Sequence, residues 1–323
     1  GTVFVDSVAA QAQLFVDVNG FVDVGADPLH FDADIVFDTT GVGGQASVTL
    51  FDSDLSSDDS PERFSVDYSE AQDIGVTFDH DPLVAPDYRV LTSGVVDVDL
   101  QLPSLALSTQ LTDQEDALTV IADFDPSFSV MQLETDGQSS QFRFMHPTDS
   151  LQLDGLAGND RLQFESFGSN LNAVPIVGGG AGYDQLVWDA DVNVGTDGFP
   201  RDLRLESESV AVNGDVRLQG GGTVRIGADD ALSIASVIHS TTGRIVIDSE
   251  ATLSDLSAAT LQSDAVETAI SLHGGDFLLG DVFAAAGTVT LGSDGGLGEI
   301  GSVVQAVGSR IETSLLTSSS SGM

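Results

Sequence analysis

Short apolar segments recur in the C-terminal third of the chain at a spacing that few folds accommodate. Each has apolar residues at alternate positions and stands between turns rich in glycine and other small residues. Successive segments begin 21, 25 and 19 positions apart, at Val224, Ile245, Ile270 and Val289. One turn of a parallel β-helix takes about 20 to 25 residues, and stacked turns bury a continuous core. The sequence therefore predicts an all-β chain whose main part is a right-handed parallel β-helix, or β-solenoid.

This prediction can be tested on the residues that would form the hydrophobic core. If the segments stack, one set of apolar side chains must point inward: Val224, Ile226, Ile245, Ile247, Ile270, Leu272, Val289 and Leu291. The alternative is an antiparallel sandwich with turns every 8 to 12 residues or so, which short strands such as Leu232–Ile234 would also fit.

The first 147 residues alternate apolar and acidic positions, as in Phe15–Val18 and Val96–Leu100. Alternation with period two is typical of half-buried strands. The strand spacing is irregular, so this part is either a β-sandwich-like module or an irregular stretch of solenoid. The predicted regions are an acidic β-rich region over 1–147, a turn region over 148–208, a regular solenoid over 209–313 and a Ser-rich tail or linker over 314–323.

Two glycine-rich turns begin 24 residues apart, close to one solenoid period. Residues 179–187 fill every position of a G-G-x-G-x-D-x-apolar-x nonapeptide, whereas residues 155–163 have Leu156 in place of the second glycine. Aspartate and turn carbonyls supply the oxygen ligands that Ca²⁺ prefers. Turns stacked on one edge can share an ion, so the predicted calcium ligands are Gly155, Gly158, Asp160, Gly179, Gly180, Gly182 and Asp184. The alternative is that both aspartates only cap turns.

The charge balance excludes one class of partner. The chain has 51 acidic residues against ten basic ones, all arginine, and a net charge of -41. Nucleic-acid affinity comes largely from basic side chains that neutralise phosphates, so we expect no nucleic-acid partner. Of the acids, 40 are aspartate, which favours turns and cation coordination over helices. The charge could also serve only to keep the protein soluble in high salt.

Other features of the sequence concern location. No apolar run approaches the roughly 18 residues that span a bilayer. The chain lacks cysteine, which removes thiol chemistry and cysteine-based metal sites and fits an exported protein without disulfides. With no basic signal region at Gly1, we expect a mature or excised piece of a longer chain.

The two nonapeptides resemble the calcium-binding repeats of RTX exoproteins, and segments such as Gly287–Leu291 resemble rungs of filamentous-haemagglutinin-type adhesins. The stretch from about 148 to 308 is similar to units of very large repeat-containing bacterial surface proteins. This resemblance implies a secreted or surface structural protein that binds calcium. RTX arrays repeat every nine residues, and the 24-residue gap departs from that pattern.

No motif predicts an enzyme. Carboxylate pairs arise by chance among so many acids, and no serine, histidine and aspartate form a recognisable nucleophile motif. We therefore assign no catalytic residue. Trp188 is expected to pack in a strand, the alternative being an exposed platform for sugars. Five arginines are expected to pair with carboxylates of adjacent rungs: Arg201, Arg204, Arg217, Arg225 and Arg244.

These observations favour a non-enzymatic extracellular segment at a bacterial cell surface, acting as an adhesin stalk, spacer or filament subunit and ordered by Ca²⁺. The expected partners are other copies or neighbouring segments of the same long chain, and cell-surface glycans. Two alternatives stay open. One is a glycan- or ice-binding β-solenoid module, for which only Thr288–Thr290 hints at a regular Thr-x-Thr face. The other is a β-helix enzyme acting on polysaccharides.

Overall fold

The chain folds as β-strands joined by turns. The computed structural model describes residues 3–6, 13–17, 33–38, 46–51, 63–70, 73–79, 88–93, 96–101, 104, 106–168, 171–194, 202–292 and 302–318. Within these ranges there is no helix, and so none that could cross a membrane. The contacts divide the chain into two units, residues 1–158 with 167–173, and residues 159–166 with 174–323.

The first unit combines parallel ladders with antiparallel hairpins. Its strands are β1 (Val3–Asp6), β2 (Gln13–Asp17), β3 (Ala33–Asp38), β4 (Ala46–Phe51), β5 (Arg63–Glu70), β6 (Asp73–Asp79), β7 (Tyr88–Ser93), β8 (Val96–Gln101), β9 (Ala106–Gln110), β10 (Asp116–Ala122), β11 (Phe128–Thr135), β12 (Gln138–Met145), β13 (Ser150–Asp154) and β14 (Ala157–Gly158). Parallel pairing runs in three series, β1–β3–β7, β2–β4–β8–β12 and β5–β9–β13. Antiparallel pairs run through β5–β6–β7 and β10–β11–β12.

The second unit is built from parallel strands. They are β15 (Arg161–Phe164), β16 (Val174–Gly178), β17 (Ala181–Gly182), β18 (Gln185–Trp188), β19 (Val192–Val194), β20 (Leu203–Val212), β21 (Val216–Leu218), β22 (Val224–Ile234), β23 (Val237–Ser240), β24 (Ile245–Ser263), β25 (Thr268–Leu291), β26 (Val303–Gln305) and β27 (Ile311–Ser318).

These strands stack in three ladders. The first passes through β16 and the first halves of β20, β22, β24 and β25, and the second through β15, β18 and the later parts of the same long strands. The third joins β19, β21, β23, the end of β24 and a later part of β25. The stacked parallel strands form a β-solenoid of about six turns. The predicted fold class is confirmed, and the parallel register excludes the antiparallel sandwich for this unit.

The core of the second unit is the one that the sequence predicts. All eight predicted side chains are buried: Val224, Ile226, Ile245, Ile247, Ile270, Leu272, Val289 and Leu291. They share the inward face because side chains of a strand alternate between its two faces. The register places Val224 beside Ile245 and Ile245 beside Ile270, so like residues stack from rung to rung.

Small residues close the corner between the third and first ladders. The hydroxyl of Ser263 donates to the carbonyl oxygen of Gly243 at 2.7 Å, and that of Ser240 donates to Gly222 at 3.0 Å. Both serines are fully buried. A Cβ atom on Gly243 would lie 1.8 Å from the carbonyl oxygen of Gly222 on the preceding rung. Only glycine allows this approach.

Aspartate carboxylates connect neighbouring rungs at the corners. Each accepts a backbone N–H from a residue about one rung away. In the second unit the donor and acceptor pairs are Thr223 to Asp202, Asp215 to Asp191, Val237 to Asp215, Ser302 to Asp276 and Arg310 to Asp281, at 2.6–3.0 Å. Some of the many aspartates of the chain therefore hold the corners by accepting backbone N–H groups.

The arginine prediction holds for one of the described residues. Arg225 pairs with Asp248 on the next rung at 2.9 Å and lies 3.8 Å from Glu206 on the preceding rung. Arg204 and Arg217 instead pair with Glu206 and Asp215, two positions away on or beside their own strand. Residues two apart share a strand face, so these contacts do not connect rungs. Arg201 lies outside the described residues.

The last rung leaves apolar side chains exposed. Its strands β26 and β27 pair with β25 on one side. Exposed apolar side chains here are Val304, Val307, Leu315 and Leu316, each at least half accessible to solvent. Strand β27 continues to Ser318, so residues 314–318 of the expected Ser-rich tail are strand, and residues 319–323 lie outside the described residues.

Candidate functional site

The two nonapeptide aspartates lie on neighbouring rungs of the second unit. The backbone N–H of Asp160 donates to Oδ1 of Asp184 at 2.8 Å, and the N–H of Asp184 donates to Oε2 of Glu208 at 3.0 Å. The N–H of Tyr183 likewise donates to the Asn159 side chain at 3.0 Å. These bonds span 24 residues each, so the corner before the second ladder repeats with that period. The contact of Asp184 with Asp160 thus joins two rungs and is not the capping of its own turn that was the alternative to calcium binding.

The second carboxylate oxygen of Asp184 has a different environment. The side chain is fully buried, and Oδ2 has no hydrogen-bond partner among the described residues. A Cβ atom on Gly179 would lie 2.9 Å from this Oδ2 and 3.0 Å from Oγ of Ser207, a second buried oxygen without a partner. Burial, followed by the charge of Glu208, raises the pKa of Asp184. A buried carboxylate oxygen of this kind is costly unless it is protonated or meets a cation.

The turn glycines differ between the two nonapeptides. Gly180 has φ of 102° and Gly182 has φ of 151°. In the incomplete turn Leu156 takes up φ of 65°, a left-handed conformation that costs a non-glycine residue roughly 1 kcal/mol or more. Its N–H donates to Asp154 Oδ1 at 3.1 Å. Leu156 therefore adopts the glycine-type conformation that its position in the motif demands. Of the remaining turn glycines, Gly155 and Gly158 lie in the first unit and Gly179 in the second.

A groove of about 510 Å³ opens in the second unit beside the complete nonapeptide turn. It runs along the first ladder and its corner with the second, from Gly179 and Gly180 to His273 and Gly274. Five carboxylates line it, against two guanidinium groups and one histidine: Glu206, Glu208, Asp229, Asp248 and Glu250, with Arg204, Arg225 and His273. The groove is therefore a concentrated part of the acidic surface.

One wall of this acidic groove is charge-paired. Arg225 donates to Oδ2 of Asp248 through Nε and Nη2 at 3.0 and 2.9 Å, and Nδ1 of His273 lies 2.6 Å from Oδ1 of Asp248. Glu206 pairs with Arg204. The contact with Asp248 orients the imidazole, whose Nε2 is buried and without a partner among the described residues. Since Nε2 is closed to solvent, the histidine cannot serve a ligand in the groove directly.

The other wall carries unneutralised charge. Glu208, Asp229 and Glu250 form no ion pair with a basic side chain in the described part of the chain. Partial desolvation, followed by the charges of Glu250, Glu208 and Glu206, raises the pKa of Asp229. This wall therefore favours a cation or a proton.

The predicted calcium ligands do not by themselves form a coordination shell. In the ranges that the structure describes, no three histidine, aspartate or glutamate side chains converge as a metal cluster. Asp160 and Asp184 are brought together through a backbone hydrogen bond rather than as two free carboxylates. Calcium binding by the seven predicted residues stays a prediction.

Sequence reasoning missed the carboxylates beyond the nonapeptides. Adding the 24-residue spacing between Asp160 and Asp184 to Asp184 leads to Glu208, which does accept the Asp184 N–H. That signal was available in the sequence. Asp229 and Glu250 were harder to find because no glycine motif marks their corners.

Two further residues bear on the alternative functions. Trp188 is fully buried, with its ring 4.6 Å from that of Phe164, so it packs in the core and is no platform for sugars. Ser129 Oγ lies 2.8 Å from Nε2 of His146, a pair that the sequence did not reveal. Ser129 is fully buried, so no substrate reaches its hydroxyl in this fold.

Comparisons with known proteins add no relative. Neither a family model, nor a curated protein, nor a solved structure matches the chain.

Proposed function

We propose that the chain is a non-enzymatic structural segment of an extracellular bacterial protein, acting as a spacer, adhesin stalk or filament subunit at the cell surface. The observation that carries the proposal is the stacked core of the second unit, in which like apolar residues lie beside one another from rung to rung. Such a stack adds length by repeating one unit, and each rung needs only its neighbours for stability.

The exposed side chains of the last rung support the proposal of a partner that continues the stack. Val304, Val307, Leu315 and Leu316 are exposed, and among the described residues β27 pairs with β25 alone, which makes it an edge strand. Residues 302–318 contain one arginine and one glutamate, so this rung is neutral within a strongly acidic chain. Another copy, or a neighbouring segment of the same long chain, could pair here without charge repulsion. Imaging of native particles tests this role. Rods joined end to end would support it, and isolated globular particles would contradict it.

Calcium is the proposed ordering ion. Self-repulsion of a chain with a charge of -41 opposes compaction, and an ion bound only by the folded form adds stability by mass action. We expect the thermal midpoint to rise on going from excess EGTA to millimolar Ca²⁺ at constant ionic strength. An unchanged midpoint would remove calcium from the proposal and leave the structural role standing.

One observation favours the alternative of a polysaccharide-active enzyme. Five carboxylates line the acidic groove, and such chemistry requires a pair of carboxylates. The residues that line it include no aromatic side chain on which a sugar could stack. Release of reducing ends from acidic or neutral polysaccharides would support the enzyme and contradict the structural assignment.

A further inference from the structure

The hydrophobic core of the second unit is open at β27. In the register of this strand Leu316 stacks on Val289. Val289 is 1% exposed and points into the core, so Leu316 extends an inward row of the core by one more residue. Leu316 is nevertheless 50% exposed, because no further strand among the described residues covers it. A partner that covered this side chain would remove its apolar surface from water and so be stabilised by it.

Other exposed apolar side chains lie in the same part of the chain. Leu315 and Val304 are 54% and 56% exposed, and Val307, in the turn between β26 and β27, is fully exposed. With Leu316 they make up half of the eight large apolar side chains that the described residues expose. All four fall within residues 302–318, which we call the open end. Such a concentration of exposed apolar side chains is typical of an interaction surface, whereas single ones are ordinary.

The charge of the open end favours a second copy of the chain as its partner. Residues 302–318 contain one basic and one acidic residue, Arg310 and Glu312, in a chain of net charge -41. These two side chains pair with each other at 3.5 Å. Two copies carry the same large negative charge and repel each other, and this repulsion is weakest where two neutral surfaces meet. A basic partner, by contrast, would find no excess negative charge at the open end.

We propose that two copies of the chain associate through the open end, with β27 of one copy antiparallel to β27 of the other about a twofold axis near residues 315–318. The contact is isologous, so each copy supplies the same neutral apolar surface. Each copy covers Leu315 and Leu316 of the other, and the two edge strands pair by strand addition. This inference rests on the proposed function, because it names a second copy as the partner of the last rung.

Sedimentation velocity of the full chain at about 1–100 μM and one fixed Ca²⁺ concentration tests the association. The variant Leu316→Asp places a charge at the centre of the contact. Its control is Leu253→Asp, which makes the same change at a side chain that is 57% exposed in β24. We expect the unaltered chain to form dimers, Leu316→Asp to weaken them about tenfold or more, and Leu253→Asp to change the affinity less than about twofold. Added salt should strengthen the dimer, because it screens the repulsion between the two acidic chains.

The lack of cysteine in the chain allows a direct test of the twofold axis. Single cysteines are introduced one at a time as Ser314→Cys, Leu315→Cys, Leu316→Cys and Thr317→Cys, with Leu253→Cys as the control. A disulfide needs Cα atoms about 4.4–6.8 Å apart, and identical residues come this close only beside a twofold axis. We expect mild oxidation to link two copies through at least one of the four positions and not through position 253.

The outcomes separate the inference from the function on which it rests. A chain that stays monomeric overturns the inference, as does equal weakening by the two aspartate variants. Open-ended oligomers that no single cysteine in β27 can link also overturn the twofold contact, and they leave the structural role standing. Isolated globular native particles contradict that role itself. Circular dichroism checks the folding of each variant, and if Leu316→Asp does not fold, Leu316→Ala and Leu253→Ala carry the same comparison.

Discussion

Substituting Gly243 by alanine tests the stacking of the corners directly. An added Cβ would lie 1.8 Å from the carbonyl oxygen of Gly222, whereas an ordinary contact needs about 3.5 Å. The two rungs would have to separate locally by about 1.7 Å, roughly a third of their ~4.8 Å spacing. That movement also strains the bond from Ser263 to the Gly243 carbonyl. Overpacking typically costs about 1–3 kcal/mol, and we expect a loss in the upper part of that range.

The matched control is Gly178→Ala, in which an added Cβ meets no atom within 4 Å. Neither glycine has a positive φ, so both alanines are free of backbone strain. We expect Gly178→Ala to be neutral or to stabilise by about 0.4–1 kcal/mol through the unfolded chain. Urea unfolding at one fixed Ca²⁺ concentration, followed by circular dichroism, compares the free energies. Equal midpoints for the two variants would refute the close approach of the corners.

Three further results are expected. Asp184→Ala should weaken Ca²⁺ binding more than Asp160→Ala in a calorimetric titration, because Asp184 lies in the complete nonapeptide whereas Leu156 replaces a glycine in the other turn; equal affinities would reduce both to turn caps. The hydrogen bond from Arg143, with smaller contributions, lowers the pKa of Asp123 below its usual value of 3.8. The ionised carboxylate of Asp123 therefore stabilises the fold above pH 3.8, and this stabilisation is lost as the pH falls through the lower pKa of the folded state. Asp123→Asn should therefore cost about 1 kcal/mol or less at pH 7 and progressively less below pH 4 or so in urea titrations, and a loss independent of pH would contradict this. Trp188→Ala should cost about 3–5 kcal/mol by the same method, because the ring is fully buried against Phe164, and a loss under about 1 kcal/mol would be inconsistent with that packing.

The core could be predicted from the sequence, but the acidic groove could not, for a reason visible in the strand register. Inward apolar residues recur because each packs against its counterpart on the next rung, so the spacing of Val224, Ile245 and Ile270 predicts the ladder. The corners have no such constraint. Between the first and second ladders one rung has a single extra residue, Glu208, where the next has two, Asp229 and Asp230. The following corner gains one more. The 24-residue spacing that leads from Asp160 to Asp184 and Glu208 changes to 21 residues from Glu208 to Asp229 and from Asp229 to Glu250, so the period of the nonapeptides does not lead to the last two acids. The aspartates that connect rungs through backbone N–H groups were equally hidden, since their partners lie wherever a corner happens to end.

The exposed last rung also sets the order in which the second unit comes apart. A rung inside the stack has neighbours on both sides, whereas in the part of the chain that the structure describes the rung of β26 and β27 pairs on one side only, and Leu315 and Leu316 are half exposed to solvent. Opening this rung breaks one set of ladder bonds, and opening a middle rung breaks two. Strands β22 and β24, which pair on both sides, therefore open less readily than β27, so we expect their backbone amides to exchange with solvent more slowly than those of β27. A partner docked on β27 would close this route and slow exchange throughout the rungs behind it.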